Sequence, residues 1–439
     1  MQSKKIMLVI PFILLSGIAW ISAVGRNNNQ DDTDMQTELI EKADSYMADK
    51  AYIRAIPMYK EAYGLNGTLK EDAAQKLISL YNEYGQTRDY YNFITERCDD
   101  GTASETEYID LAQYFLVKND YETAMNYLDK GYSIYQSENI SEIIDEHYYD
   151  HHIGSGTFED IIPSKSSLTP FFQNEKWGYV NSSGAVVIDA VYDEAVPFAN
   201  GLAMVKNGSE YEIINSKAQR YSLCKEDISE LSGICKSGSG IVGIVKDNSG
   251  KYMFVNEEFF FASSQYDFIS PYSDGVYTVR SGEKWGTLDQ SRTVSIEPKY
   301  EGFAFNKYNE AFNRGVAFVK ESGSYRLINS KGEYIGDNAF EDAKAFYSSG
   351  KYAAVKSNGK WGFINASGDV VIDFIYEDAD SFSNGIAAVK DLFGWKYIDD
   401  DNEIAIDGQY LDACPLNDYG SAFVKCENGW QLLTLEYFN

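Results

Sequence analysis

The sequence predicts an α + β multidomain chain in three successive parts: a membrane helix at the amino terminus, a region of α-helical repeats, and an all-β repeat array. Three observations predict it. Ile6 to Val24 are 19 positions without a charge, small and aromatic residues recur at helical spacing between residues 34 and 153, and short alternating segments around a Trp-Gly pair recur from residue 177 onward.

Composition bounds the function before any motif does. Across 439 residues, 38 basic against 67 acidic side chains give a formal charge of −29, which opposes nucleic acid, whose phosphates need basic stripes, and anionic lipid surfaces. Hydrophobic residues at 44% and aromatics at 15% supply enough apolar surface for a folded core. Three histidines, all between His147 and His152, leave most of the chain without the commonest general base and metal ligand. His147, Asp150 and His151 fall at i, i+3 and i+4, one face of a helix, but without the His-Glu-x-x-His pattern they read as a solvated helix end. No C-x-x-C spacing exists among the five cysteines, so no zinc site is expected. Cys224 with Cys235 and Cys414 with Cys426 are either local disulfides or small buried apolar residues.

The uncharged run follows Lys4 and Lys5 and precedes Arg26. Its length exceeds a usual signal-peptide core and approaches the roughly 20 residues that span hydrocarbon, so residues 1–26 read as an uncleaved signal anchor, with a signal peptide cleaved near Ala23-Val24-Gly25 as the alternative. The paired lysines put the amino terminus inside and the bulk of the chain outside the cytoplasm. A polar linker is expected at 27–33.

In residues 34–153, Leu39, Ala43 and Tyr46 share a helix face, followed by Tyr52, Ala55, Tyr59 and Ala62. The spacing returns as Tyr108, Leu111, Ala112 and Phe115, then Tyr121, Ala124, Leu128 and Gly131, with a weaker middle copy through Leu77, Leu80, Tyr81, Tyr84, Tyr90 and Phe93. This segment resembles tetratricopeptide repeats, in which small residues at helix crossings admit large aromatics from the facing helix; a capping helix is expected from about Ser141.

From 158 to 439 the repeat starts are Lys176-Trp177-Gly178, Lys284-Trp285-Gly286 and Lys360-Trp361-Gly362, with variant starts at Tyr211, Tyr252, Tyr325, Trp395 and Trp430. Their intervals are 34, 41, 33, 40, 36, 34 and 35. Fifteen residues after five of these anchors stands another aromatic: Tyr192, Tyr300, Phe340, Tyr376 and Tyr410. Seven Val-basic pairs end in Lys206, Lys246, Arg280, Lys320, Lys356, Lys390 and Lys425. Within a period, an aromatic strand, a β-branched strand from Val186 and an alternating strand from Leu202 are separated by turns, with Gly184 and Gly368 where positive φ is needed and Asn200-Gly201 and Asn384-Gly385 as tight turns. The glycine after Trp is expected to leave room for an indole from an adjacent strand.

These motifs resemble the bacterial WG (KWG) repeat family, which is found beside tetratricopeptide-like helices in exported proteins. The resemblance implies a β repeat architecture with binding or scaffolding roles, structural positions Trp177, Gly178, Trp285, Gly286, Trp361, Gly362, Trp395 and Trp430, and no catalytic residues or cofactors to carry over. Closure follows from the ends: Phe158 to Pro163 with Leu168 to Phe172 match the second half of a period, and Trp430 to Leu435 match the first half. Such halves complete a shared blade in a β-propeller, with Leu168 to Phe172 expected beside Trp430 to Leu435; an open β superhelix is the alternative.

The expected function is therefore a non-catalytic, single-pass membrane-anchored binding scaffold for a protein or envelope polymer, against an exported hydrolase of envelope glycan or peptide. The seven basic residues are a candidate anion-binding rim, or partners for the excess carboxylates. Asp399 to Glu403 lacks the glycine and distal Glu of a calcium loop and reads as a solvated turn.

Overall fold

The computed structural model describes residues 18–223, 228–237, 240–256 and 266–438. It divides into two compact units, residues 1–142 and 143–439. Most of the expected anchor lies outside the described residues; no helix among those described is long and apolar enough to cross a membrane.

The first unit is helical. α1 (Ile18–Ala48) pairs with α2 (Tyr52–Gly64), α3 (Lys70–Tyr84) with α4 (Thr87–Asp99), and α5 (Glu105–Leu116) with α6 (Tyr121–Tyr135), followed by α7 (Glu138–His147). Residues 27–33, expected as a linker, lie within α1. Ala43, Ala55, Ala62, Ala73 and Ala74 are fully buried at the crossings, against Tyr59 and Tyr81. Gly131 shows why size matters: a Cβ there would sit 3.0 Å from both Ile140 and Tyr108. Where the middle copy substitutes Phe93, the ring packs edge-on against Tyr63 at 4.9 Å. Arg97, absent from the sequence expectations, is 1% exposed. Its guanidinium donates to Glu107 at 2.5 and 3.0 Å, to Glu71 at 3.0 and 3.1 Å and to Thr102 O, bracing α3, α4 and α5. Glu107 also closes the capping box that starts α5 at Ser104.

The second unit is an eight-bladed β-propeller. In blade 1, strands Asp160–Ile161, Leu168–Gln173, Lys176–Asn181 and Val186–Tyr192 pair antiparallel in chain order. Blades 2 to 8 follow at 194–223, 228–256, 268–300, 302–329, 342–376, 378–410 and 412–435, each with its Trp or Tyr anchor at the start of the third strand. Eight apolar clusters fill the eight spaces between neighbouring sheets. The last joins Ile161, Phe171 and Val180 of blade 1 to Phe158, Cys414, Phe423 and Leu432 of blade 8, so the array is a closed ring and not an open superhelix.

The closing blade is not the one expected. The partner of Gly429–Leu435 is His151–Ile153, with Leu433 opposite Ile153 and Phe158 bridged to Trp430, whereas Leu168–Gln173 belongs wholly to blade 1. Sequence periods start at the third strand and blades at the first, which displaces the assignment by one blade. Residues 151–153, expected in the helical repeats, are thus propeller, and His151 leaves the helix face it was to share with His147: its Nδ1 contacts Tyr149 O, while His147 Nδ1 pairs with Asp150 at 2.6 Å. Cys235, Cys414 and Cys426 are free thiols, and Cys224 lies outside the described residues.

Register explains the repeat. Across blade 6, Asp342 faces Lys356, Lys356 faces Trp361, and Trp361 faces Tyr376, an acid-base-aromatic-aromatic row. Blades 1, 4 and 7 pair Trp with Tyr in the same way, and Phe158 supplies that ring in blade 8. The glycine after Trp has another purpose than the one expected: between the paired positions one residue of the third strand, the glycine, lies opposite three of the fourth, and the bulge brings backbone onto it. A Cβ on Gly362 would lie 2.7 Å from Ile372 O, and one on Gly178 2.5 Å from Ile188 O. Turn chemistry matches expectation, with φ of 80° at Gly184, 87° at Gly368, and 50° and 92° at Asn384-Gly385.

Candidate functional site

The connections between first and second strands converge on the ring axis. In most blades they run six to nine residues, but in blade 5 the chain leaves Phe303 and returns at Val316, and this long loop spans the ring. Asn306 folds it locally, its Oδ1 accepting from Tyr308 N–H and Glu310 N–H at 2.9 and 3.1 Å while its amide donates to Phe346 O. The buried Glu310 pairs with Lys165 of blade 1, on the opposite side of the ring. Lys307 reaches blade 8, donating to Asp412 at 3.1 Å and Ala413 O at 2.6 Å, and lies 5.7 Å above the Trp395 ring of blade 7. The loop is a plug tied to blades 1, 6, 7 and 8.

Two cavities flank the plug, at opposite mouths of the ring. The first, about 590 Å³, is walled by first-to-second-strand loops carrying Pro163, Pro197, Phe198, Pro271, Tyr272 and Tyr308. Prolines fix backbone there, so the wall is preformed. The second, about 470 Å³, opens where second strands end and first strands begin, and is lined by Lys344, Asp378, Asp380, Lys390, Trp395 and Leu411. Asp380 is buried; its carboxylate accepts from Tyr347 OH at 2.9 Å and Ser381 N–H at 2.8 Å, and burial raises its pKa despite the nearby Lys307. Burial likewise pushes the Cys414 thiol up to about 12, leaving it protonated and unreactive.

The seven basic residues of the expected rim lie at the ends of second strands, each directly opposite its blade's anchor aromatic. Six stack on it: Lys206 on Tyr211 at 5.0 Å, Lys246 on Tyr252 at 5.5 Å, Arg280 on Trp285 at 5.7 Å, Lys320 on Tyr325 at 5.4 Å, Lys356 on Trp361 at 6.0 Å and Lys425 on Trp430 at 5.6 Å. Lys206 and Lys246 also pair with Glu194 and Glu230. Cation–π contact and facing acids account for these positions structurally. Lys390 differs: the cation over the Trp395 ring is Lys307.

Of the structural positions expected, Trp361, Trp395 and Trp430 are buried between blades, while Trp177 and Trp285 are half-buried. Asp399 to Glu403 is the turn between third and fourth strands of blade 7, where Asp399 Oδ1 accepts from Asp401 N–H and Glu403 N–H as Asn365 does in blade 6. The plug and Asp380 were missed from sequence. One signal existed: the intervals of 40 and 41 residues mark the plug of blade 5 and the long hairpin of blade 3, where the first strand runs Ile228–Ser237.

Fold and axial cavities define a β-propeller repeat protein preceded by helices. The family model described as WG containing repeat matches four stretches of it, residues 177–211, 252–285, 325–361 and 361–391. Among solved structures, BamB from Moraxella catarrhalis is similar over 64% of this chain and 92% of its own, at 12% identity and a TM-score of 0.42. KlHsv2 with loop 6CD replaced by a Gly-Ser linker is similar over 58% and 96%, at 8% identity and a TM-score of 0.37. No curated protein matches the sequence.

Proposed function

We propose that this chain is a non-catalytic, membrane-anchored extracytoplasmic scaffold that holds a protein or envelope-polymer partner at the propeller axis. The observation that carries the reading is the cavity of about 590 Å³ beside the plug: a preformed wall of mixed apolar and polar groups, of whose charges Lys165 pairs with Glu310 and Lys307 with Asp412 across the ring, while Asp418 accepts from Asn384. Such a wall suits recognition, where a few polar groups orient a partner against apolar surface, better than proton transfer. The anchor rests on the uncharged run Ile6 to Val24 behind Lys4 and Lys5.

A photoreactive residue at Asn200, on the cavity wall, should capture a discrete partner in cells, and one at Asn365 on an outer turn should not. Equal capture from both positions, or cleavage of glycans or peptides by the purified chain, would overturn the scaffold reading. External protease on spheroplasts should degrade the folded units; full protection would overturn the orientation.

A further inference from the structure

Blade 7 departs from the other blades at one corner. Where the repeat reads Lys-Trp-Gly, this blade reads Gly394-Trp395-Lys396, with lysine and glycine exchanged around the indole. In blades 1 and 6 the lysine that precedes Trp holds an acid near the start of the next blade, Lys176 with Asp193 at 2.5 Å and Lys360 with Glu377. In blade 7 that lysine is Lys396, and it turns back to Asp391 at 2.9 Å. Asp391 in turn braces the hairpin between second and third strands, its Oδ1 accepting from Phe393 N–H at 2.7 Å and Gly394 N–H at 3.2 Å.

The braced hairpin presents Leu392 and Phe393, which are 84% and 74% exposed. The corresponding tips elsewhere are polar or glycine, such as Asn174-Glu175, Gly282-Glu283 and Asn358-Gly359. Both residues lie off the repeat's structural positions, so the fold does not require them. A largely solvated Leu-Phe pair on a braced hairpin is an apolar cost that a partner's surface would remove.

Lys390 flanks the same hairpin. The cation over the Trp395 ring is Lys307, and among the described residues Lys390 is the one member of the seven-residue basic set without an ion pair or an aromatic under it. The carboxylates sharing its cavity are engaged elsewhere: Asp412 by Lys307, Asp380 by Tyr347 and Ser381, and Asp378, opposite Lys390 in the strand register, by Ala379 N–H at 2.9 Å. Leu411, 58% exposed, extends the apolar rim.

We propose that this corner docks a protein segment in which a carboxylate, seated at Lys390 in the cavity of about 470 Å³, is flanked by large apolar side chains that cover Leu392 and Phe393. A small anion inside the cavity would leave the hairpin tip in water, so the exposed Leu392 and Phe393 beside the Lys390 ammonium select a protein segment that carries both a carboxylate and apolar side chains. The proposal rests on the scaffold reading and assigns it a second contact surface, at the other mouth from the proline-walled cavity.

The test uses the full chain in neutral detergent and a short synthetic peptide alternating Glu with Leu and Phe, read by fluorescence anisotropy, with its Gln counterpart as control. The Glu peptide should bind saturably and at least about tenfold tighter than the Gln peptide. Lys390→Gln, and separately the double change Leu392→Ser with Phe393→Ser, should each weaken it about tenfold. Lys425→Gln in the next blade should change it less than about twofold. The hairpin residues are solvent-exposed, so the double variant keeps the native melting temperature and loss of binding cannot be ascribed to unfolding. Equal affinity for both peptides, absence of binding, or an equal loss on Lys425→Gln would overturn the proposal. A photoreactive residue at Phe393 that labels lipid in cells would overturn it in favour of a membrane contact. The axial crosslink from Asn200 is independent of this corner: its survival alongside a failed peptide experiment leaves the scaffold reading and removes only the docking site.

Discussion

The helical unit and the propeller are both repeat structures, yet they secure their repeats by different physics. In the helical unit each pair of helices contacts its neighbours along a line, and one buried guanidinium, Arg97, ties three consecutive helices through Glu71 and Glu107. In the propeller the long-range polar ties are gathered in the blade 5 plug, where Lys307 reaches blades 7 and 8, and the blades themselves are held otherwise. Every blade packs on two others through apolar clusters, and the cluster between blades 8 and 1 joins residues far apart in sequence. A linear stack localises damage and a ring shares it. The difference teaches that equivalent-looking repeats should respond unequally to equivalent insults.

The largest expected effect is on the ring. Removing residues 427–439 strips the third strand of blade 8, leaves His151–Ile153 without a partner and uncovers Phe158. The propeller should lose cooperative melting and aggregate, with faster hydrogen exchange at residues 160–181, while α2 to α5 keep their protection. Unchanged exchange in blade 1 would show that the ring behaves as a linear array. Next in size is Arg97→Ala, expected to cost the helical unit about 3–5 kcal/mol because Glu107 stays buried without its cation. Chemical denaturation with separate helical and β probes should show that loss in the helices alone; a matching shift in the β signal would break the distinction between the units.

A smaller effect tests the bulge. Gly362→Ala should destabilise by about 2 kcal/mol, since its Cβ meets backbone that cannot rotate away, whereas Lys396→Gly at the same repeat position in blade 7 should change stability by less than about 1 kcal/mol. Denaturant midpoints of the two variants measure this, and equal shifts would mean the glycine is not there for the bulge.

The smallest effect is a pH dependence. Asp380 has a raised pKa in the fold, so the folded chain holds that proton more tightly than the unfolded one, and its contribution to stability declines as pH rises above about 3.9. The melting temperature of Asp380→Asn minus that of the wild type should therefore increase from pH 4 to pH 7. A flat difference would mean that Asp380 ionises in the fold as it does in water.

Much of this architecture was legible because repetition reports its own period. Eight anchors, the aromatics fifteen residues on and the Val-basic pairs became the third, fourth and second strands of the blades, and their cross-strand rows explain why those residue types recur. Phase was not legible: nothing in a period distinguishes its beginning from the start of a blade, so the closing strand was sought at Leu168 and lies at His151. Arg97 escaped because a lone arginine in a helix ordinarily reads as surface, and only tertiary structure brings Glu71 and Glu107 to it. The candidate sites were the least legible part, since plug and docking corner are departures from the repeat. Their traces were an overlong interval and an exchanged Lys and Gly, both visible only once the regular pattern was known.

The pairing of His151–Ile153 with Gly429–Leu435 also bears on how the chain is made. During synthesis or export from the amino end, the strand at 151 emerges hundreds of residues before its partner. Blades 1 to 7 can form behind it, but the ring has two open flanks until the segment around Trp430 arrives. Nascent chains therefore pass through a stage in which nearly finished propellers display unpaired edges to one another, and a chaperone that shields Phe158 and its neighbours would act at that stage. A frameshift or stop close to the carboxyl end would be caught by the cell as a misfolded protein and not tolerated as a slightly shorter one.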